Sequence, residues 1–293
     1  MAEWQRIAQT VTTPATLDDP FIVTVPCLHK DQAPEIAEWI VEEIQTNVES
    51  EDGQRIKRQN AYSAQEAMAR WQREAETLNS VQRLARNMAR PNFMQTERHA
   101  RRAALISWAQ LVRPNGVWDH KQYFDPTVDP ERGRKFATLG ITTRRHHHKY
   151  KGYEYYYDIW SNIHYGYVGR YIGFSEDALL DGAGLAQRID DFIKPSRSPI
   201  DRSDLNGEGQ RRFDDVTDHL SVRLGISLFE RFAPQELTGP LLMNEIAQVD
   251  YPIVEESKIP HTCQGVRNRC RRPANRNDER CVVELQNSPR AGR

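Results

Sequence analysis

The chain has 293 residues, of which 28% are charged and 38% apolar, and its formal net charge is −1. That length suits one large domain or two small ones with a substantial core. The near-zero charge excludes a global pull toward nucleic acid or an anionic membrane, so any electrostatic steering must come from local patches.

Residues 1–34 read as an irregular N-terminal segment, with Phe21-Ile-Val-Thr-Val25 as a short strand. The opening Met1-Ala-Glu-Trp-Gln-Arg6 lacks the basic-then-apolar pattern of a Sec signal peptide. Ile36, Ile40, Ile44 and Val48 then repeat every four positions, which predicts a helix over 35–48. Ser63-Ala-Gln-Glu66 has the form of a capping box. The run after it keeps a helical period through Met68, Trp71, Ala75, Leu78, Leu84 and Met88 until Pro91. A third helix is expected over 96–112, capped by Thr96 and ended by Pro114-Asn-Gly116.

Residues 115–152 change character and read mostly as loop, with a strand over 136–142. His146-His-His148 lies among Arg144, Arg145, Lys149 and Lys151 and reads as a solvated basic loop rather than a metal site. Residues 153–157 read as extended, and Asp158 as the N-cap of a helix through about Tyr171. Gly166 and Gly169 weaken such a helix, so their use points to close approach by another element or a ligand. Ser175-Glu-Asp177 starts a further helix, expected to falter at Gly182 and Gly184. Residues 194–212 read as a surface loop. Val216, Leu220, Leu224 and Leu228 form a last ladder, and 234–293 reads as a Pro- and Arg-rich, poorly ordered tail. No apolar run is long enough to span a membrane. Cys27 stands alone; Cys263, Cys270 and Cys281 are spaced too widely for a usual zinc site and read as free thiols or one disulfide. No metal and no cofactor is expected.

The expected fold is mainly α, with a few short strands and irregular loops, and α+β as the alternative. Its expected parts are 1–34, a helical region 35–114, a compact helical domain 115–233 and the tail 234–293.

Chemistry concentrates in two places. Trp118-Asp-His-Lys121 puts three ionisable types just after a turn, where His120 can move a proton and Lys121 can hold a phosphate. Asp119 can orient a histidine. The stretch from Tyr155 to Arg170 packs Tyr157, Asp158, Asn162, His164, Tyr165 and Arg170 into sixteen residues. That is too polar for core filling and too aromatic for a solvated face. On a helix, Asp158 and His164 lie about 120° apart, so His164 needs a partner from elsewhere, with His120 and Asp119 as candidates. Arg170 can bind an oxyanion bidentately.

Trp118 to Lys121, Tyr155 to Ser175 and Leu180-Asp-Gly-Ala-Gly-Leu-Ala-Gln187 together resemble the bacterial polymorphic toxin type 44 domain family. Phe213 to Phe232 resembles its closing helix, and Glu43-Ile-Gln-Thr-Asn47 is a fainter echo toward residue 35. The resemblance implies an antibacterial effector with a cognate immunity protein and a secretion-system carrier. It implies a protein held in the producer's cytoplasm, then sent into a target cell without a Sec signal peptide.

The reaction expected is metal-independent nuclease chemistry on target-cell RNA. His164 and His120 are then base and acid, and Asp158 or Asp119 fixes a tautomer. Lys121 and Arg170 stabilise phosphate charge; Tyr157, Tyr165 and Asn162 complete substrate binding. A colicin M-like hydrolysis of a cell-wall precursor is the alternative, and a non-enzymatic binding module the third reading.

Overall fold

The structure is a computed structural model that describes residues 22–26, 29–124, 136, 146–193, 201–252, 257–261, 270–271 and 280–284. It is mainly α. Two compact units divide the chain: a helical unit of 37–122 with 158–249, and a second unit of 1–36, 123–157 and 250–293.

The first isoleucine ladder becomes helix α1 (Ala33–Glu49), with Ile36, Ile40, Ile44 and Val48 all fully buried. Helix α2 (Glu51–Asn60), which the periodicity did not announce, restarts at once because Gly53 N–H donates to Ser50 Oγ at 3.0 Å. The expected single helix from Ser63 to Met88 is two: α3 (Ala64–Glu76) and α4 (Ser80–Met88). The break is chemical. Asn79 and Gln82 exchange side-chain-to-backbone bonds as a capping box, so the chain prefers a fresh start to continuation. Helix α5 (Phe93–Val112) begins three residues earlier than Thr96 because Asn92 is its cap; Thr96 Oγ1 instead donates back to Asn92 O.

Helix α6 (Asp158–Tyr171) carries the aromatic motif, and α9 (Val216–Arg231) lies across it. Their contact explains one glycine of the motif. A Cβ on Gly166 would stand 2.2 Å from Val222 O, and one on Gly225 would stand 2.2 Å from Ile163 O. Only bare backbone allows that approach. Gly169 makes room for the Leu179 side chain of α7 (Glu176–Ile193). Helix α7 does not falter at Gly182 and Gly184. It runs through, because Gly184 lets the 3₁₀ turn Gln210–Phe213 press against it, with Gln210 O at 2.1 Å from where a Cβ would be. The presumed loop before α9 thus contains that turn and a short helix α8 (Ser203–Asn206); residues 194–200 lie outside the described residues.

The tail is also more structured than its composition implied. Thr238 caps α10 (Gly239–Gln248), with Pro240 in its first turn and Leu242, Met243 and Ile246 buried. In the second unit, β2 (His147–Tyr150), β3 (Tyr153–Tyr156) and β4 (Lys258–Pro260) form one antiparallel sheet. The strand β1 (Ile22–Pro26) pairs with β6 (Arg280–Glu284), which pairs with β5 (Cys270–Arg271). His147 and His148 are therefore not a solvated loop. They are strand residues, buried, and burial first, then His147 and His146, pushes His148 down to about 3. The strand expected over 136–142, apart from Phe136, lies outside the described residues, as do Cys27 and Cys263.

Candidate active site

The site is built in the helical unit from three pieces. Helix α1 presents Glu43 and Asn47, one turn apart and so on one face. The 3₁₀ turn His120–Tyr123 presents His120 and Lys121. Helix α6 presents Asp158 and His164.

His120 and His164 meet edge to face with ring centroids 4.2 Å apart. Both are buried. Asn47 Nδ2 lies 2.9 Å from His164 Nε2. Glu43 Oε2 lies 3.4 Å from His120 Nε2, and Trp39 Nε1 donates to the other Glu43 oxygen at 3.0 Å. Trp39 and Trp118 set edges against His120 and His164 respectively. Burial, then the neighbouring His120, holds His164 well below the usual histidine value, so its ring is neutral at pH 7. A second crossing runs between the same two pieces: Lys121 Nζ donates to Asp158 Oδ2 at 3.1 Å.

Several buried polar atoms here have no hydrogen-bond partner among the described residues. They are His164 Nδ1, Asp158 Oδ1 and Asp214 Oδ2; Asn162 Nδ2 is also orphaned but lies about 160° around α6 from His164. Orphans of this kind are rare in a settled core, and a group of them is what a ligand would satisfy. Asp214 was not foreseen. It precedes α9, is 2% exposed, and its carboxyl is held well above the usual carboxylate range. Burial is the main cause, followed by Asp218 and Asp215; Lys121 opposes the rise. The signal was available as Asp214-Asp215 with Asp218, but acids before a helix read as ordinary capping.

Other expected residues go elsewhere. Both Asp119 oxygens accept backbone N–H groups, from Asn115 at 2.8 Å and Lys121 at 3.1 Å, so Asp119 shapes the turn that aims His120. Tyr165 donates to Leu179 O at 3.1 Å, and burial pushes its hydroxyl up to about 12. Arg170 donates to Phe174 O at 2.7 Å and pairs with Glu230 at 3.7 Å. It closes the far end of α6, roughly 18 Å along the axis from Asp158. Tyr157 belongs to the second unit, where its N–H donates to His146 O and its ring meets Phe124. Among the described residues no group of three or more His, Cys, Asp or Glu is placed to hold a metal ion.

Residues 107–231 match the family model Ntox44, described as bacterial toxin 44. Over those residues the chain is similar to the toxin 44 family. The match holds His120, Lys121, Asp158, His164 and Asp214, and leaves Glu43 and Asn47 outside it. The 180–187 segment of the toxin 44 domain has a structural task. Asp181 takes three donors of Arg211, its N–H at 3.1 Å, Nε at 3.0 Å and Nη2 at 3.1 Å, which fixes the turn leading to Asp214. No curated protein and no solved structure matches the chain. No described helix is long and apolar enough to cross a membrane.

The buried histidines of the toxin 44 domain give its stability a pH dependence. His164 sits well below 6.5, and burial, then Arg223 and Arg211, brings His219 down to about 4. The unfolded chain takes up protons at about 6.5 that the folded one refuses. Stability is thus fully present above pH 6.5 and lost as pH falls toward 4, at about 1.4 kcal/mol per pH unit for each such group. Asp214 acts with the opposite sign, since its folded carboxyl keeps its proton above the usual carboxylate range. Urea midpoints at pH 7 and pH 5 should differ clearly, with the lower value at pH 5. Equal midpoints in both the parent and an Asp214→Asn variant, which lacks the opposing group, would show that these histidines are not held neutral.

Proposed function

We propose that the toxin 44 domain is a metal-independent RNase that acts in a target bacterial cell and is restrained in the producer by an immunity protein. The observation that carries this reading is the His120–His164 contact, flanked by Glu43 and Asn47. Two imidazoles in contact can serve as the base and the acid of a ribose transphosphorylation. One takes the proton of the 2′-hydroxyl as that oxygen attacks phosphorus. The other gives a proton to the departing 5′-oxygen. The products are a 2′,3′-cyclic phosphate and a 5′-hydroxyl.

His164, being neutral, suits the base. Asn47 Nδ2 faces Nε2 at 2.9 Å; with that amide turned over, its oxygen accepts Nε2–H and the orphaned Nδ1 lone pair accepts the proton. Glu43 is the member of the group that reaches solvent and hands protons to His120. Lys121 stands at the solvent side and leaves Asp158 for a phosphate oxygen. Asp214, whose carboxyl is raised by burial and which feels the charge of Lys121, lines the same region. Glu43→Gln keeps a Trp39 acceptor and removes the charge. It should slow RNA cleavage by about a hundredfold and change stability by less than about 1 kcal/mol, read by gel and by urea melt.

The compartment separates this from envelope chemistry. The chain is expressed in a bacterial host with and without an added periplasmic signal peptide. Growth arrest from the cytoplasm, with degraded total RNA, supports the RNase. Lysis that appears only on periplasmic export contradicts it and moves the assignment to a cell-wall precursor.

A further inference from the structure

Helix α4 is docked with its polar side inward and its apolar side outward. None of its residues is buried. Val81, Leu84 and Met88, at helical spacing, are 78%, 65% and 84% exposed. The opposite side holds the anchors. Arg86 lies over the Trp71 ring at 3.8 Å and donates to Glu74 Oε2 at 2.5 Å. Arg83 donates to Leu78 O and Glu76 O. Arg90 reaches Met68 Sδ. An amphipathic helix in a water-soluble fold normally buries the apolar side. Here arginines take that place, so the apolar side stays free for something outside the fold.

Its surroundings identify the occupant. Helix α5 adds Met94, Leu105 and Ile106, each at least half exposed. Residues 64–102 hold eight arginines and four glutamates in a chain whose net charge is −1. Glu74 and Glu97 are already paired, with Arg86 and Arg101. Arg70, Arg73, Arg98 and Arg102 have no ion-pair partner among the described residues, and all four are exposed. Exposed apolar side chains beside surplus guanidinium groups fit a surface that is apolar just beneath a layer of anionic phosphates.

We propose that the α3–α5 arm adsorbs to anionic phospholipid, with Val81, Leu84 and Met88 entering the headgroup boundary and the arginines on phosphate. Every exposed apolar residue named, from Val81 to Ile106, precedes the matched segment 107–231, so the proposal stands independently of the RNase reading.

The test is flotation of the full chain with phosphatidylglycerol-containing vesicles and with pure phosphatidylcholine vesicles. The comparison chain is Leu84→Gln/Met88→Gln, whose substituted sites are exposed and whose melting should match the parent. Expected are binding to the anionic vesicles only, weakening with salt, and a loss of about tenfold or more in the double variant. Absence of binding, or equal binding by the variant, overturns the proposal. So does concentration-dependent self-association that the double variant abolishes, which would make the face a contact between copies.

Discussion

Replacing His164 with glutamine should abolish growth inhibition while leaving a folded protein. The ring is 1% exposed and holds Asn47, so removing it to alanine opens a cavity and costs roughly 2–3 kcal/mol. Glutamine fills more of that space and keeps a partner for the Asn47 amide. What glutamine cannot do is take a proton near neutral pH. Loss of a general base lowers rate by about a hundred- to ten-thousandfold. The variant should retain its helical circular dichroism and a cooperative urea transition. Growth arrest equal to the parent's, at equal expression, would remove His164 from the chemistry and leave it a core histidine.

Gly225→Val should cause the largest loss of stability. The new Cβ would meet Ile163 O at 2.2 Å and Tyr167 N at 2.8 Å, both backbone atoms that cannot turn aside. Helices α6 and α9 would have to part, and with them the seat of His164. A loss of about 3 kcal/mol or more is expected, measured from urea midpoints. Gly169→Ala offers the contrast. Its Cβ meets only the Leu179 side chain, so about 1 kcal/mol is expected. A Gly225 variant as stable as the parent would mean that α6 and α9 are not packed through their glycines.

Much of the helical pattern was legible because it rests on local signals. The ladders at Ile36 to Val48 and at Val216 to Leu228 each gave a helix close to the observed bounds. What failed was also local but more subtle. The Asn79–Gln82 capping box interrupts a run whose apolar period continues through it. Gly182 and Gly184 read as helix breakers, whereas the turn at Gln210 supplies the packing that keeps α7 intact. The histidines of 146–148 looked solvated because their neighbours are cationic, yet pairing with β3 draws His147 and His148 inward.

The candidate site was legible as residue types and less so as partners. His164 needed a group from another element, and His120 is the one in contact with it. The faint echo at Glu43 to Asn47 turned out to be the α1 face that touches both histidines. Periodicity could not reveal this, because separations of 77 residues (Glu43 to His120) and 117 residues (Asn47 to His164) leave no local trace. Arg170 and Asp119 looked like anion and tautomer groups by type. Their positions at a helix end and in a turn give them backbone carbonyl and N–H partners instead.

The most direct test is to incubate the purified chain with total bacterial RNA in the presence of a chelator and to identify the new ends. Cleavage is expected to survive chelation, to yield 2′,3′-cyclic phosphate and 5′-hydroxyl ends, and to disappear in His164→Gln. RNA left intact by a folded parent protein would contradict the RNase reading.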